Sequence, residues 1–324
     1  MMAMVIDRFG GPEVFRMAEV ETPKPARGQV LIRNKFAGVN PADWKCREGM
    51  LAKYFEYKFP FIVGFDASGV IEEVGPDVTA FKPGDWVLTS SDQGLGDWGS
   101  YAELVRASVE RVFLMPPQID FAEAATVPVP GATAWGALMD VGAATRNQTV
   151  FINGGAGGVG SFLIQLAAWL KSRIATTCRP NNASYVQSLG AELAIDYSTE
   201  DVLAALRRFA PEGIDLVIDA IGLGSLPADS ARVVKRGGKI VSIETLVQDI
   251  GAFDTGVAAR CGVELTCNMV AAERIPQHLA AITTAIAEGG IRPLPYEVMK
   301  LRNAGAAHER VKAGHVRGKI VLEI

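Results

Sequence analysis

The sequence predicts an α/β protein in two parts, a doubly wound parallel-sheet domain and a β-rich barrel. Three observations carry that prediction. Between about 120 and 270 short apolar runs alternate with segments of helical period, and residues 1–119 instead hold strand-like segments cut by turn residues. A glycine run, Gly154–Gly160, stands between the first apolar run and the first helix of the alternating region. The 324 residues leave room for two domains of about 150 residues each. With 49% hydrophobic and 21% charged residues, composition permits ordinary cores and gives no reason to expect disorder.

In chain order, the first region shows strands at Val30–Arg33, Gly69–Val74 and Trp86–Thr89, with turn signals at Gly10–Pro12, Gly75–Asp77 and Lys82–Asp85. Short strands with frequent turns indicate a small barrel. The alternating region begins with the run Thr149–Asn153 and a helix at Phe162–Leu170. Arg173–Cys178 precedes a helix at Ala183–Leu189, and Leu193–Tyr197 precedes one at Glu200–Phe209. Ile214–Ala220, Lys239–Ile243 and Val263–Val270 complete six runs. Near-continuous apolar strands separated by amphipathic helices require a parallel sheet covered on both faces. The tail reads as helices at Ile275–Glu288 and Gly305–Lys312, then a last strand at Lys319–Ile324. That strand needs a partner already in place, and the N-terminal β region is the expected host. The domains so defined are 1–119 with 290–324, and 120–289.

Within the glycine run, Gly155, Gly157 and Gly160 form G-x-G-x-x-G between strand and helix. In that setting glycines allow a tight turn, close approach of backbone amides to a pyrophosphate, and close packing of helix on strand. The helix N-terminus adds its positive end. An acidic residue about twenty positions on would favour NAD. Here Arg179, Pro180, Asn181 and Asn182 follow the second run, so no carboxylate repels a 2′-phosphate. Arg179 offers a planar guanidinium for one, which favours NADPH; the alternative is a solvated loop arginine.

Other classes are disfavoured. A net charge of −4 with no basic run argues against nucleic acid. The uncharged stretch Asn147–Leu170 contains five glycines and reads as strand, turn and helix, not as a membrane span. The first residues meet a charge at Asp7 before any useful apolar core, so the expectation is a cytoplasmic protein. Cys46, Cys178, Cys261 and Cys267 form no close pair, and the three histidines all lie in the last fifty residues, so no metal-ligand cluster is visible.

With those residues in view, the chain resembles the zinc-free quinone oxidoreductases of the medium-chain dehydrogenase/reductase superfamily. The resemblance rests on Gly38–Asp43, Gly64–Ile71, Gly155–Ser161, Pro130–Ala134, Asp215–Gly222 and Gly318–Leu322, and it spans essentially the whole chain. It implies a Rossmann domain beside a GroES-like barrel. Zinc-dependent members carry a cysteine where this chain has Asn40 and a His-Glu pair where it has Phe65 and Asp66. Asn and Phe cannot replace a thiolate and an imidazole as zinc ligands, so the implied chemistry is hydride delivery from NADPH to a quinone, or to an enone, alkenal or enoyl thioester.

Carried over residue by residue, the resemblance places Asn40 and Thr133 beside the nicotinamide. Gly157, Gly158, Val159 and Gly160 become the pyrophosphate turn. Tyr197 is placed near the 2′-phosphate or adenine, and Lys319 approaches the pyrophosphate from the last strand. Ile221, Ile243 and Met269 would line the nicotinamide pocket. Plainer readings stand beside these: turn chemistry for Asn40-Pro41, an N-terminal helix residue for Thr133, a half-exposed strand-end aromatic for Tyr197, a solvated Lys319, and core packing for the apolar three. Asp43 and Asp66 are expected to hold loops together. A substrate tyrosine found in several relatives is replaced here by Leu51, which weakens the enoyl-thioester reading. The resemblance also implies a homodimer joined at the sheet edge near Val263–Val270.

Overall fold

The computed structural model describes residues 1–243, 253–267 and 272–324, and they form two compact units. The first unit comprises Met1–Pro130 with Ala272–Ile324, and the second Gly131–Ala271.

The first unit opens with strands β1 (Met2–Ile6), β2 (Phe15–Glu19), β3 (Gln29–Val39), β4 (Phe61–Ile62), β5 (Asp66–Val74), β6 (Trp86–Ser90), β7 (Leu104–Ser108) and β8 (Val112–Leu114). A short helix, α1 (Pro41–Arg47), leaves the end of β3. β3 alternates apolar residues inward, so Val30 and Ile32 join Ala67, Ile71, Val87, Val105, Ala107 and Val112 in one core. Further along the first unit come α2 (Phe121–Ala124) and the start of α3 (Pro128–Trp135).

The second unit is a six-stranded parallel sheet: β9 (Thr149–Asn153), β10 (Arg173–Cys178), β11 (Leu193–Asp196), β12 (Ile214–Asp219), β13 (Val234–Ser242) and β14 (Glu264–Cys267). Its order is β11-β10-β9-β12-β13-β14. The chain thus starts in the middle, builds outward one way, then crosses to build the other. Ligands of such sheets bind where that reversal occurs, outside the carboxyl ends of β9 and β12. The helices α4 (Gly158–Trp169), α5 (Ala183–Ser188) and α6 (Val202–Phe209) follow β9, β10 and β11, and α7 (Thr255–Cys261) precedes β14. α4 buries Phe162, Leu163, Ile164 and Leu166, each contributing about 1.5–3 kcal/mol by removal from water.

The chain then returns to the first unit with α8 (Ile275–Ala287), β15 (Tyr296–Lys300), α9 (Ala304–Ala313) and β16 (Lys319–Glu323). β16 pairs antiparallel with β3 and parallel with β15, so the last strand finds the N-terminal host that its sequence requires. The unit boundaries fall at 130/131 and 271/272, not at the expected 119/120 and 289/290. The physical reason is α8, whose Leu279 and Ile282 are buried within the first unit. The Gln118 amide also bonds the Ile286 carbonyl there at 2.6 Å. The predicted run Val263–Val270 lies within the described residues only as far as Cys267.

Candidate functional site

At the end of β9 the chain turns sharply through Gly154, whose φ of 86° suits glycine. Gly160 is held by packing, since a Cβ there would stand 2.2 Å from the Gly154 carbonyl oxygen. Gly157 differs. A Cβ there would meet only the Gly154 oxygen at 3.6 Å, so the space above it is open. Gly157 is the N-cap of α4 and no side chain caps that end. The first-turn amides of Gly158, Val159 and Gly160 therefore have no side-chain acceptor, and an anion can serve as one.

Beneath the turn lies a buried polar network that sequence reasoning missed. The Gly154 N–H donates to Thr177 Oγ1 at 2.9 Å, and that hydroxyl donates to Asn153 Oδ1 at 2.6 Å. Asn153 Nδ2 in turn donates to Asp219 Oδ1 at 2.9 Å and to Ser225 Oγ at 2.7 Å. The Asp219 carboxylate also accepts from the amides of Ile221 and Gly222. These bonds tie the carboxyl ends of β9, β10 and β12 together beside the reversal point. From the other side Tyr185 donates to Ser161 Oγ at 3.0 Å, and Ser161 donates to the Gly155 carbonyl at 3.1 Å. A small polar residue directly before the glycine run was the only sequence signal.

The remaining expected residues of the second unit are placed as follows. Arg179 and Tyr197 are exposed side by side at the ends of β10 and β11, with Arg179 Nε donating to the tyrosine hydroxyl at 3.3 Å. The acid ending β11, Asp196, is turned towards Ser198 and Thr199, and their hydrogen bonds hold it below the usual carboxylate range. Ile221 is 49% exposed beside the glycine turn, where a Cβ on Gly154 would lie 2.7 Å from its Cγ1. Ile243 follows β13 and its amide donates to the Asp219 carbonyl at 3.0 Å. Thr133 is half-buried in α3. Met269 lies outside the described residues.

In the first unit, Asn40 and Lys319 come together although 279 positions separate them. Both are buried, at 3% and 4% exposure. Lys319 Nζ donates to Asn40 Oδ1 and, at 2.7 Å, to Asp66 Oδ2. Asn40 Nδ2 donates to the same Asp66 oxygen at 2.9 Å. This fixes which way the amide faces, because an ammonium can only donate and a carboxylate only accept. Asn40 is left with its second Nδ2 proton to offer. Asp66 Oδ1 accepts the Val129 N–H at 2.8 Å, so this one carboxylate joins β5, β16, the end of β3 and the start of α3. Lys319 is thus not a solvated lysine, and its partnership with Asn40 was not foreseen.

Asp43 completes the arrangement. Its carboxylate accepts the Asn40 backbone N–H at 2.6 Å and the Phe65 backbone N–H at 3.1 Å. Burial, and then the neighbouring Asp66 charge, pushes the Asp43 carboxyl up to about 7. Behind it Tyr101 donates to Asp43 Oδ2 at 3.4 Å and contacts His308 Nε2 at 2.9 Å. Burial and the nearby Arg47 guanidinium push the His308 imidazole down to about 3, so it is neutral. Among the described residues, no group of three or more His, Cys, Asp or Glu is placed to hold a metal ion.

An open cradle at Gly157 and uncapped helix amides fit the pyrophosphate of a nicotinamide dinucleotide. Comparison with known proteins points the same way. Residues 26–117 match the alcohol dehydrogenase GroES-like domain family and residues 189–322 the zinc-binding dehydrogenase family. The chain is 30% identical to the chloroplastic quinone-oxidoreductase QR1 of Triphysaria versicolor, over 100% of this chain and 98% of that protein. It is 35% identical to the chloroplastic NADPH-dependent alkenal/one oxidoreductase of Arabidopsis thaliana, over 99% and 79%. Among solved structures, the mycobacterial Rv1454c protein complexed with NADPH is similar with a TM-score of 0.84 and 28% identity, covering 100% of both chains.

Proposed function

We propose, from the premise that this chain belongs to the quinone oxidoreductase group of the medium-chain dehydrogenase/reductase superfamily, that it is an NADPH-dependent, zinc-independent reductase of electron-poor acceptors, quinones foremost. The observation that supports the cofactor reading is the open, uncapped turn at Gly157–Gly160, with Arg179 following the neighbouring strand β10. Gly158, Val159 and Gly160 would hold the pyrophosphate through their amides, and Arg179 with Tyr197 the 2′-phosphate. Ile221, Ile243, Met269 and Thr133 would bound the nicotinamide. NADPH, when bound, supplies a hydride.

The rest follows from this chain's own groups. Asn40, held by Lys319 and Asp66, offers an N–H to an acceptor oxygen or a ribose oxygen. We assign Lys319 to holding Asn40 rather than to the pyrophosphate. Asn40 and Phe65 occupy positions where a thiolate and an imidazole would be needed for zinc, so acceptor activation falls to hydrogen bonding and alignment. Such a site suits acceptors that are already electrophilic. Reduction of a C=C bond is the second reading, supported by likeness to the Arabidopsis alkenal/one oxidoreductase. It asks more of a proton donor, and Leu51 is an apolar, buried residue.

Steady-state oxidation of NADPH and NADH against quinones, enones and alkenals tests the activity. Dialysis against a chelator should leave turnover unchanged. Arg179→Ala should erase most of the preference for NADPH; an unchanged NADPH/NADH ratio would remove Arg179 from the site. We further propose a homodimer, because β14 ends the six-strand order as an edge that needs covering. Among the described residues no helix is long and apolar enough to cross a membrane, and a cytoplasmic location belongs to the same proposal.

A further inference from the structure

Residues 54–59 hold four aromatic side chains, Tyr54, Phe55, Tyr57 and Phe59, in a chain that is 8% aromatic overall. Tyr54 and Phe59 are 45% and 42% exposed, which leaves uncovered ring surface on one short loop. Tyr57 and Phe59 turn to Phe9, with ring centroids 4.9 and 5.2 Å apart, so the loop divides its rings between two partners. Phe55 packs against Phe65, with ring centroids 5.9 Å apart and planes tilted by 55°. Both rings are only half-buried.

The position of this pair is fixed from both sides. On one side, a Cβ on Gly94 would stand 2.6 Å from Phe55 Cβ, and the Glu56 N–H donates to the Gly94 carbonyl at 3.1 Å. Gly94 has a φ of 75°, so glycine both permits the turn and lets Phe55 sit against it. On the other side, the Phe65 backbone N–H shares the Asp43 carboxylate with the Asn40 backbone N–H. The next residue, Asp66, holds the Asn40 side chain. The backbone of Phe65 and both the backbone and the side chain of Asn40 are therefore held by two carboxylates, Asp43 and Asp66.

We infer that Phe65, backed by Phe55, is a specificity-determining residue that selects planar, ring-bearing acceptors. A flat quinone can lay its ring against Phe65 while one carbonyl oxygen accepts from Asn40 Nδ2. A short aliphatic enone can use the amide but has little ring surface to offer. Aromatic pairing adds to plain area burial, and the phenylalanine is already ordered by Phe55, so little freedom is lost on binding. The inference rests on the proposed reductase activity and narrows its substrate class.

The test compares phenanthrenequinone with methyl vinyl ketone, using NADPH, for the wild type and for Phe65→Leu, Phe65→Tyr and Phe55→Leu. Equilibrium dialysis of phenanthrenequinone against each protein, with NADP⁺ present, runs beside the kinetics. Loss of the aromatic contact should lower the quinone-to-ketone ratio of kcat/KM by about threefold to tenfold in Phe65→Leu, with a matching loss of quinone binding. Phe55→Leu should move both in the same direction, and Phe65→Tyr, which keeps the ring, should retain the wild-type ratio. Equal loss towards both acceptors, or unchanged quinone binding in Phe65→Leu, would overturn the inference. If the wild type oxidises NADPH with neither acceptor, the proposed activity fails, and dialysis alone then decides whether Phe65 binds a planar ring.

Discussion

Lys319→Met removes the ammonium shared by Asp66 and Asn40 while keeping a long apolar stem in place. The Asp66 carboxylate is fully buried, and without Lys319 it retains, among the described residues, two donors, Asn40 Nδ2 and the Val129 amide. Removing one member of a buried pair leaves an uncompensated charge and costs about 3–5 kcal/mol. For a unit of this size, each kcal/mol lowers the melting temperature by roughly 2–4 °C, so thermal unfolding should move down by about 6–20 °C. Circular dichroism melts of Lys319→Met, Asp66→Asn and the double variant would measure this. The double variant should be more stable than Lys319→Met, because the stranded charge is gone. A double variant no more stable than Lys319→Met would refute the reasoning. The same proteins separate two roles of Lys319. Loss of a charge-assisted bond to a pyrophosphate would weaken NADPH at least tenfold, at about 1.5–3 kcal/mol, whereas holding Asn40 should change NADPH affinity less than that and lower kcat instead.

Gly157→Ala places a methyl in open space, so it should leave the melting temperature within about 2 °C yet weaken NADPH binding severalfold or more by fluorescence titration. Gly160→Ala has no such room and should lose stability as well as binding. Asp43 has a raised carboxyl in the fold, so it contributes stability below its unfolded value near 4 that is progressively lost as pH rises towards about 7. Asp43→Asn should remove that slope between pH 4 and 7, although it costs a backbone hydrogen bond at every pH, and pH-dependent melts of both proteins check this. His308 acts with the opposite sign. Its folded value is depressed, so stability is lost as pH falls from about 6.5 towards 3, and His308→Phe should make the protein less sensitive to acid over that window by the same melts.

The second unit was legible in the chain almost strand by strand. Thr149–Asn153 and Arg173–Cys178 could be read to the residue, because parallel strands buried on both faces are continuous apolar runs. The glycine turn was equally legible, since its spacing follows from local backbone geometry. Groups far apart in the chain were brought together by folding alone. Lys319 meets Asn40 across 279 positions because β16 pairs with β3, and no local pattern encodes that the lysine is buried. His308 reaches Tyr101 across 207 positions for the same kind of reason. Composition could not place α8 with the first unit, because an amphipathic helix states that it has an apolar face but not which core receives it. The Asn153–Thr177–Asp219 network was hidden in like manner: each residue lies at the carboxyl end of a different strand, and sheet order alone makes them neighbours. Local pattern therefore specified the elements and the glycine turn, while strand pairing assembled the buried polar groups around Asn40 and Asp219.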